Sequence, residues 1–413
     1  MVDADLITWL SSPGGREAIR QADQLLGSLE ESPSRGSARL LAAQRLRALP
    51  SADGPPLTAP QAAAALTQVE LAKRAGLEPG SWLLTRDGLE QATTPVVAAR
   101  HAQHLGQLGA AVVELGAGLG FDTAAMVAAG LTVTALEADP VRAACLRANV
   151  PNAAVVFGDL MNSAILEQVL ADPSAVIYAD PGRRAAARQT DGRRAHPERD
   201  PQRWSPPWAF LVGLAARHRL AAKVAANIPE TVIAQSWQVE WVSINGTLVE
   251  AFVTNGEPLA ARRQAAVLRY GRWQTIPQGP AGTPGTSVQA FVHEVDPAVV
   301  AAAASTTLAA RMNANLLTSD GRWLTSSELP TEGNASFLRS YAVVEQLPSQ
   351  LPALRQALRA RGISRATIKS RGRDQARLRH ELRISEGTGP ILAFIDGSGS
   401  DRKATNVLVL EQR

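Results

Sequence analysis

The sequence predicts an α/β protein built on a doubly wound, mostly parallel sheet, with a helical region before it and a smaller α+β domain after it. Three observations carry this. Short apolar runs alternate with helix-like segments between residues 112 and 217. A glycine-rich turn directly follows the first of those runs. The composition also changes on both sides, from alanine-rich helical stretches upstream to a Gly/Pro-rich stretch at residues 277–285 downstream. A chain of 413 residues fits two or three domains. The expected divisions are a helical region at 1–88, the sheet domain at 89–276 and a C-terminal region at 286–413.

Through residue 88, apolar positions recur at helical intervals. Ile7, Leu10, Ile19, Leu25 and Leu26 form one group, Leu40, Leu41, Leu46 and Leu49 a second, and residues 62–77 a third. Ser11-Ser12-Pro13-Gly14-Gly15, Ser32-Pro33-Ser34 and residues 51–56 punctuate them. The sheet then begins. Residues 112–115, 131–136, 154–157 and 175–179 read as strands, with helices at 141–148 and 208–217. Residues 241–244, 248–253 and 265–270 read as consecutive strands with Asn-Gly turns at Asn245-Gly246 and Asn255-Gly256, closing the sheet with antiparallel edges. Asp296-Pro297 opens a helical alanine run. The C-terminal region continues with strands at 341–345, 366–369, 391–395 and 407–410 and helices at 351–361 and 375–382.

Hydrophobic residues make up 45% and charged residues 19%, which allows a packed core and argues against disorder. The single cysteine, Cys145, excludes an intrachain disulfide framework and an ordinary cysteine zinc site. His101 and His104 lie three apart on an expected helix, but no third ligand joins them, so they read as helix surface and no metal is expected. The opening residues lack a basic n-region, and no run approaches membrane-spanning length. These features point to a cytoplasmic protein without membrane partners.

The net charge of +4 hides a strong partition. Residues 183–219 hold nine arginines against three acids, a net of +6. Residues 355–383 hold nine arginines and Lys369 against two acids, a net of +8, so the rest of the chain carries −10. The chain has only four lysines, so a coding bias toward arginine explains Arg over Lys; it does not explain the clustering. Two concentrated basic surfaces suit a phosphate backbone, which binds through counterion release. Arg188, Arg193, Arg194, Lys369, Arg371 and Arg373 are the candidate contacts.

Glu114-Leu115-Gly116-Ala117-Gly118-Leu119-Gly120 holds the first chemical motif. Glycines at these spacings let the chain turn sharply and bring ligand close to main-chain N–H groups. They occur in nicotinamide, flavin and S-adenosylmethionine (SAM) sites alike. Three acids sharpen the choice. Glu114 suits a cationic amino end and not a pyrophosphate. Glu137 ends the next strand at the distance where an acid meets ribose hydroxyls. Asp159, in Gly158-Asp159-Leu160, follows the third strand, where it can accept from an adenine amino group. Asp180-Pro181 then ends the fourth strand. This ordered set points to a SAM-binding methyltransferase. A nicotinamide dehydrogenase is the competing reading, without obvious hydride-transfer groups.

Gly118-Leu119-Gly120-Phe121-Asp122-Thr123, Leu136-Glu137-Ala138-Asp139-Pro140 and Gly158-Asp159-Leu160 resemble class I RNA methyltransferases related to trimethylguanosine synthases. More closely, the chain resembles bacterial class I SAM-dependent methyltransferases with a C-terminal THUMP-like domain. That likeness includes residues 88–95, Ile177-Tyr178-Ala179-Asp180-Pro181-Gly182-Arg183-Arg184 and Ile368-Lys369-Ser370-Arg371-Gly372, and it covers most of 85–413. It implies a Rossmann-like class I methyltransferase sheet, SAM as methyl donor and a structured RNA, tRNA or rRNA, as partner. It also implies that Gln91, Thr93 and Thr94 line the methionine end of SAM, beside Glu114, Gly116, Gly118, Gly120, Glu137, Asp159 and Leu160. Thr94-Pro95 reads equally as a helix start.

The expected catalytic residues are Asp180, Arg183 and Arg184. Amino-group methyltransferases end the fourth strand in (Asp/Asn)-Pro-Pro-aromatic. Here Asp180-Pro181 is kept, while Gly182 and Arg183 replace the second proline and the aromatic. A base could stack instead on Trp204 or Trp208, although Trp208 reads as core. Carbon-5 methylation needs a nucleophilic cysteine, and Cys145 lies far from Asp180 in sequence. Direct transfer to a nitrogen or ribose oxygen is therefore expected. The alternatives are an RNA-binding protein with a retained but non-catalytic SAM site, and a methyltransferase for a non-nucleic-acid substrate.

Overall fold

The computed structural model describes residues 3–29, 35–49, 55–182, 198–285, 287–370, 373–396 and 405–413. The chain forms two compact units, Met1–Lys223 with Thr254–Pro258, and Val224–Val253 with Leu259–Arg413.

In the first unit, strands β1 (Ala111–Leu115), β2 (Thr132–Glu137), β3 (Ala154–Phe157), β4 (Val176–Ala179) and β5 (Leu220–Val224) lie in the order β3-β2-β1-β4-β5. Each neighbouring pair is parallel. β4 is buried along its whole length and β1 over four of its five residues, as parallel strands covered on both faces must be, and both are unbroken apolar runs apart from Glu114. β5 escapes the periodicity. Leu220-Ala221-Ala222-Lys223-Val224 has two alanines and a lysine, and its membership of the sheet comes from burial beside β4. The strand order turns at β1 and β4, which opens a crevice at their C-terminal ends.

The N-terminal helices Ala4–Ser11, Pro13–Gly27, Arg35–Ala48 and Ala59–Ala75 belong to this same unit. Ile7, Leu10, Ile19 and Leu66 share one core with Leu119 of the glycine loop and with Cys145 on helix Pro140–Asn149. Thr58 and Gln61 form a capping box at the start of the fourth helix, and Gly76 ends it in the left-handed conformation. The helical region thereby buttresses the loop. Trp82 stacks on Phe121 with ring centroids 4.3 Å apart, and the Asn149 side chain joins Leu83 to the Leu119 carbonyl.

In the second unit, β6 (Gln238–Ile244), β7 (Thr247–Thr254), β8 (Arg263–Arg269) and β9 (Arg272–Pro277) run in the order β7-β6-β8-β9. Asn245-Gly246 makes the expected tight turn, with φ of 50° and 85°. Asn255-Gly256 does not, and this corrects the expectation of consecutive antiparallel strands. β8 pairs with β6 in parallel, so the chain crosses over between β7 and β8. The Asn255 side chain is used elsewhere. It accepts from Leu220 N at 2.7 Å and donates to the carbonyls of Ala215 and His218, holding the entry to β5.

The remaining strands are β10 (Phe291–Val295), β11 (Asn315–Leu316), β12 (Trp323–Ser326), β13 (Leu338–Leu347), β14 (Thr367–Ser370), β15 (Ile391–Asp396) and β16 (Thr405–Gln412). They form a second sheet in the order β11-β12-β10-β13-β16-β15-β14, in which β14 and β15 are parallel and the other described pairs antiparallel. Helix Leu351–Ala360 turns Leu354 and Leu358 into a core with Ile368, Leu392 and Phe394. Helix Gln375–Leu382 adds Leu378 and Leu382 to that core. Among the described residues, no helix is long and apolar enough to cross a membrane.

Candidate cofactor and active site

The glycine loop leaves β1 with Gly116, Gly118 and Gly120 all at positive φ, of 84°, 60° and 92°. Their surroundings differ. A Cβ on Gly120 would strike Leu146 at 2.5 Å, and one on Gly116 would stand 3.5 Å from the Asp180 carbonyl. A Cβ on Gly118 would meet nothing, so this glycine borders open space.

Glu137, at the end of β2, faces the loop. Its Oε2 accepts from Gly118 N at 2.7 Å, while Oε1 accepts from Asp139 N at 2.8 Å and from the Arg142 guanidinium at 2.9 Å. The two oxygens are thus unequally loaded, and Oε2 keeps a lone pair for a further donor. Gly158 N bonds to the Glu137 carbonyl, which brings the end of β3 alongside. Asp159 is exposed there and accepts from Met161 N, with Leu160 half-buried beside it.

Beneath the crevice lies a buried polar network. Glu114 is 3% exposed and accepts from Thr123 Oγ1. Asp122 accepts from Thr93 Oγ1 and pairs with His101 Nδ1 at 2.9 Å, and the Tyr178 hydroxyl meets that same nitrogen at 2.9 Å. Lys223, at the end of β5, donates to Thr93 Oγ1 at 2.8 Å and pairs with Asp180 Oδ2 at 2.5 Å. Burial pushes the Glu114 carboxyl well above its ordinary range, and the charges of Asp122 and Asp180 push the same way. Burial also acts to raise Asp122, but the His101 hydrogen bond and charge outweigh it and leave that carboxyl lowered.

The structure thus brings Thr93, Glu114 and Asp180 together through Lys223, Asp122 and their neighbours. Gln91 and Thr94 are exposed. Gln91 folds back onto the Asp87 carbonyl, and Thr94 occupies the N-cap of helix Pro95–Leu108 without a side-chain cap bond. His101 and His104 correct the surface reading. Both are buried, at 1% and 6% exposure, because the face they share packs inward. Lys223 went unread in the sequence. Its one signal was rarity, a lysine in a chain that otherwise uses arginine.

Beyond Asp180-Pro181, Gly182 and Ser205 exchange two backbone hydrogen bonds of 2.8 and 3.0 Å. Arg183, Arg184, Arg188, Arg193, Arg194 and Arg371 lie outside the described residues. Trp204 and Trp208 are 2% and 1% exposed and meet edge to face, so neither presents a stacking face; the idea that a base stacks on them is corrected by their burial. In the second unit, Lys369 pairs with Glu294 at 2.6 Å and Arg373 pairs with Asp396. Cys145 is fully buried, and its thiol is pushed up to about 12 by that burial. No group of three or more His, Cys, Asp or Glu is placed to hold a metal ion among the described residues.

Five parallel strands in the order β3-β2-β1-β4-β5, with a left-handed glycine loop after β1 and acids at the ends of β1, β2 and β4, define the Rossmann-like class I methyltransferase fold. One solved structure agrees over the whole chain. A crystal structure from Porphyromonas gingivalis W83, provisionally described as a methyltransferase, matches 100% of this chain and 99% of its own at a TM-score of 0.69 and 17% identity. Two others match more narrowly. An O-methyltransferase from Bacillus cereus in complex with SAH has 14% identity, covers 46% of this chain and 89% of its own, and gives a TM-score of 0.31. The Thermus thermophilus 16S rRNA N2 G1207 methyltransferase, in complex with AdoMet and guanosine, has 16% identity, covers 42% and 44%, and gives 0.27. Residues 338–412 match the family described as THUMP domain-like. No curated protein sequence matches the chain.

Proposed function

We propose that this protein is a SAM-dependent methyltransferase acting on structured RNA, with direct transfer to a nitrogen or ribose oxygen. The carrying observation is the convergence at the crevice of an open left-handed glycine, a carboxylate oxygen with spare capacity and the Asp180–Lys223 pair. The site fits SAM. The open side of Gly118 leaves room for the cofactor, and Glu137 Oε2 supplies an acceptor for a ribose hydroxyl. In this reading the buried Glu114 would accept from the cationic amino group, and the exposed Asp159 from an adenine amino group. SAM supplies an electrophilic methyl group on a sulfonium sulfur.

The chain's own residues would do the rest. Lys223 holds the Asp180 carboxylate in place. That carboxylate accepts a hydrogen bond from the target N–H or O–H, orients its lone pair toward the methyl carbon and receives the proton as the new bond forms. Cys145, buried and with its thiol pushed up, is unsuited to nucleophilic attack. Support for RNA comes from the THUMP-like segment and the two arginine-rich regions.

Labelled SAM incubated with bulk RNA from a deletion strain, followed by mapping of the labelled nucleoside, tests the reading. Asp180→Asn is expected to cut transfer about a hundredfold or more while SAM affinity is retained. Unchanged transfer would remove Asp180 from the chemistry. One observation favours a second reading, an RNA-binding protein whose SAM site is non-catalytic. Asp180 Oδ2 is already engaged by Lys223, and Gly182 stands where a proline is usual. Intact SAM binding with unlabelled RNA would select it. Label in protein or small molecules would point to a different substrate class.

A further inference from the structure

The second unit carries a basic, aromatic surface outside both arginine-rich segments. Arg269 at the end of β8 and Arg339 on β13 meet over the Asn245-Gly246 turn. A Cβ on Gly246 would stand 3.2 Å from Arg269 Nη2 and 3.3 Å from Arg339 Nη2, so the two guanidinium groups are close neighbours. Two like charges this close repel, and Asp296 is the acid on which both act. Their environment neutralises them only in part. Arg269 is itself only 8% exposed; it donates to the Leu338 carbonyl at 2.7 Å and faces the buried Asp296, a carboxyl that burial pushes up, at 3.6 Å. The Arg339 side chain is exposed, and its charge also acts on Asp296. These two arginines line both neighbouring clefts, of ≈ 990 and ≈ 430 Å³.

The smaller cleft is bordered by Tyr270 and Arg413. Tyr270 sits at the tip of the β8–β9 hairpin, 82% exposed, with φ of 54°. This is a left-handed position where glycine or asparagine is the unstrained choice and a bulky side chain is an outlier. The ring's exposure means that no packing within the described chain accounts for it. An exposed aromatic face beside converging guanidiniums matches a ligand of planar bases on a phosphate strand.

We propose that the β8–β9 hairpin tip and Arg339, held beside Arg269, form a contact site for single-stranded RNA, with a base stacked on Tyr270 and a backbone phosphate on the exposed Arg339 guanidinium. This rests on the RNA part of the proposed function and not on SAM binding. It adds a surface contributed in part by residues 263–277, outside the THUMP-like match.

The test uses the full-length protein and fluorescence anisotropy with a labelled single-stranded RNA oligonucleotide and its duplex. Tyr270→Asn keeps a residue comfortable in the left-handed conformation, so the hairpin survives. It is expected to weaken single-strand binding about fivefold or more, with a smaller effect on the duplex, whose bases are already stacked. Arg339→Gln should lower the slope of log affinity against log salt by about one. SAM binding should be unchanged in both variants. Equal losses on single strand and duplex would overturn the stacking assignment. Wild-type affinity in both variants, or no RNA binding by the wild type, would overturn the site. Retained SAM binding in that last case would leave the methyltransferase reading standing.

Discussion

Glu114→Gln separates the two possible roles of the buried acid. Glu114 is 3% exposed, its described hydrogen bond comes from Thr123, and Asp122 and Asp180 stand near enough to oppose its ionisation. Its folded pKa is therefore raised, and the sign follows. The folded chain holds this proton where the unfolded chain has released it, so the residue favours folding at low pH and disfavours it as pH climbs past the ordinary carboxylate range. A cationic amino group entering the site reverses the balance, and SAM binding should expel the proton. Glutamine reproduces the neutral form and can still accept from Thr123. Stability in urea should thus change by no more than about 1 kcal/mol, since no buried charge is lost. SAM affinity should fall about ten- to a hundredfold, as one charge-assisted hydrogen bond contributes about 1.5–3 kcal/mol. Calorimetry in buffers of different ionisation enthalpy should show proton release on binding to the wild type and none to Glu114→Gln. A variant that unfolds easily yet binds SAM normally would refute the argument, because Glu114 would then be a structural ion.

Two further outcomes follow from buried groups away from that acid. His293 on β10 is fully buried between Ser340 and Ser326, and burial lowers its pKa to about 4 from 6.5. A depressed histidine pKa means that the unfolded chain takes the proton first. Its stabilisation is complete above about pH 6.5 and is lost as pH falls toward 4, about 2 kcal/mol of it between pH 7.5 and 5. Urea titrations across that range should show the loss, and an undiminished slope in His293→Gln would assign it elsewhere. Cys145, with its thiol near 12, should resist a disulfide reagent at pH 8 until the protein unfolds. Cys145→Ala should retain methyl transfer, and an inactive but folded variant would reopen the nucleophile question.

The local pattern already contained most of the framework. The runs at residues 112–115, 131–136, 154–157 and 175–179 stand within a residue or so of β1 to β4, and Glu137 ends β2 as read, while its bond from Gly118 N was not read. Asp139-Pro140 caps and starts its helix where a cap and a proline belong. These features are set over a few residues, by side-chain periodicity and backbone preference. The helices and strands from residue 338 onward were legible for the same reason, while β10, β11 and β12 went unread.

The chemistry of the crevice was not local. Lys223 lies 130 positions from Thr93, yet its ammonium joins Thr93 to Asp180. No periodicity marks such a pair, because two charges find each other through strand order, which brings β5 beside β4. His101 looked like helix surface until the sheet covered its face and Asp122 and Tyr178 closed on it. The second Asn-Gly turn failed similarly, since β8 chose β6 as a parallel neighbour. By itself, the sequence determined most of the elements, the glycine loop and the acids at the strand ends, since each is written in a short stretch of chain. The tertiary structure decided which acids are buried, which cation holds Asp180 and which arginines converge over Gly246, because burial and pairing depend on neighbours supplied from far along the chain.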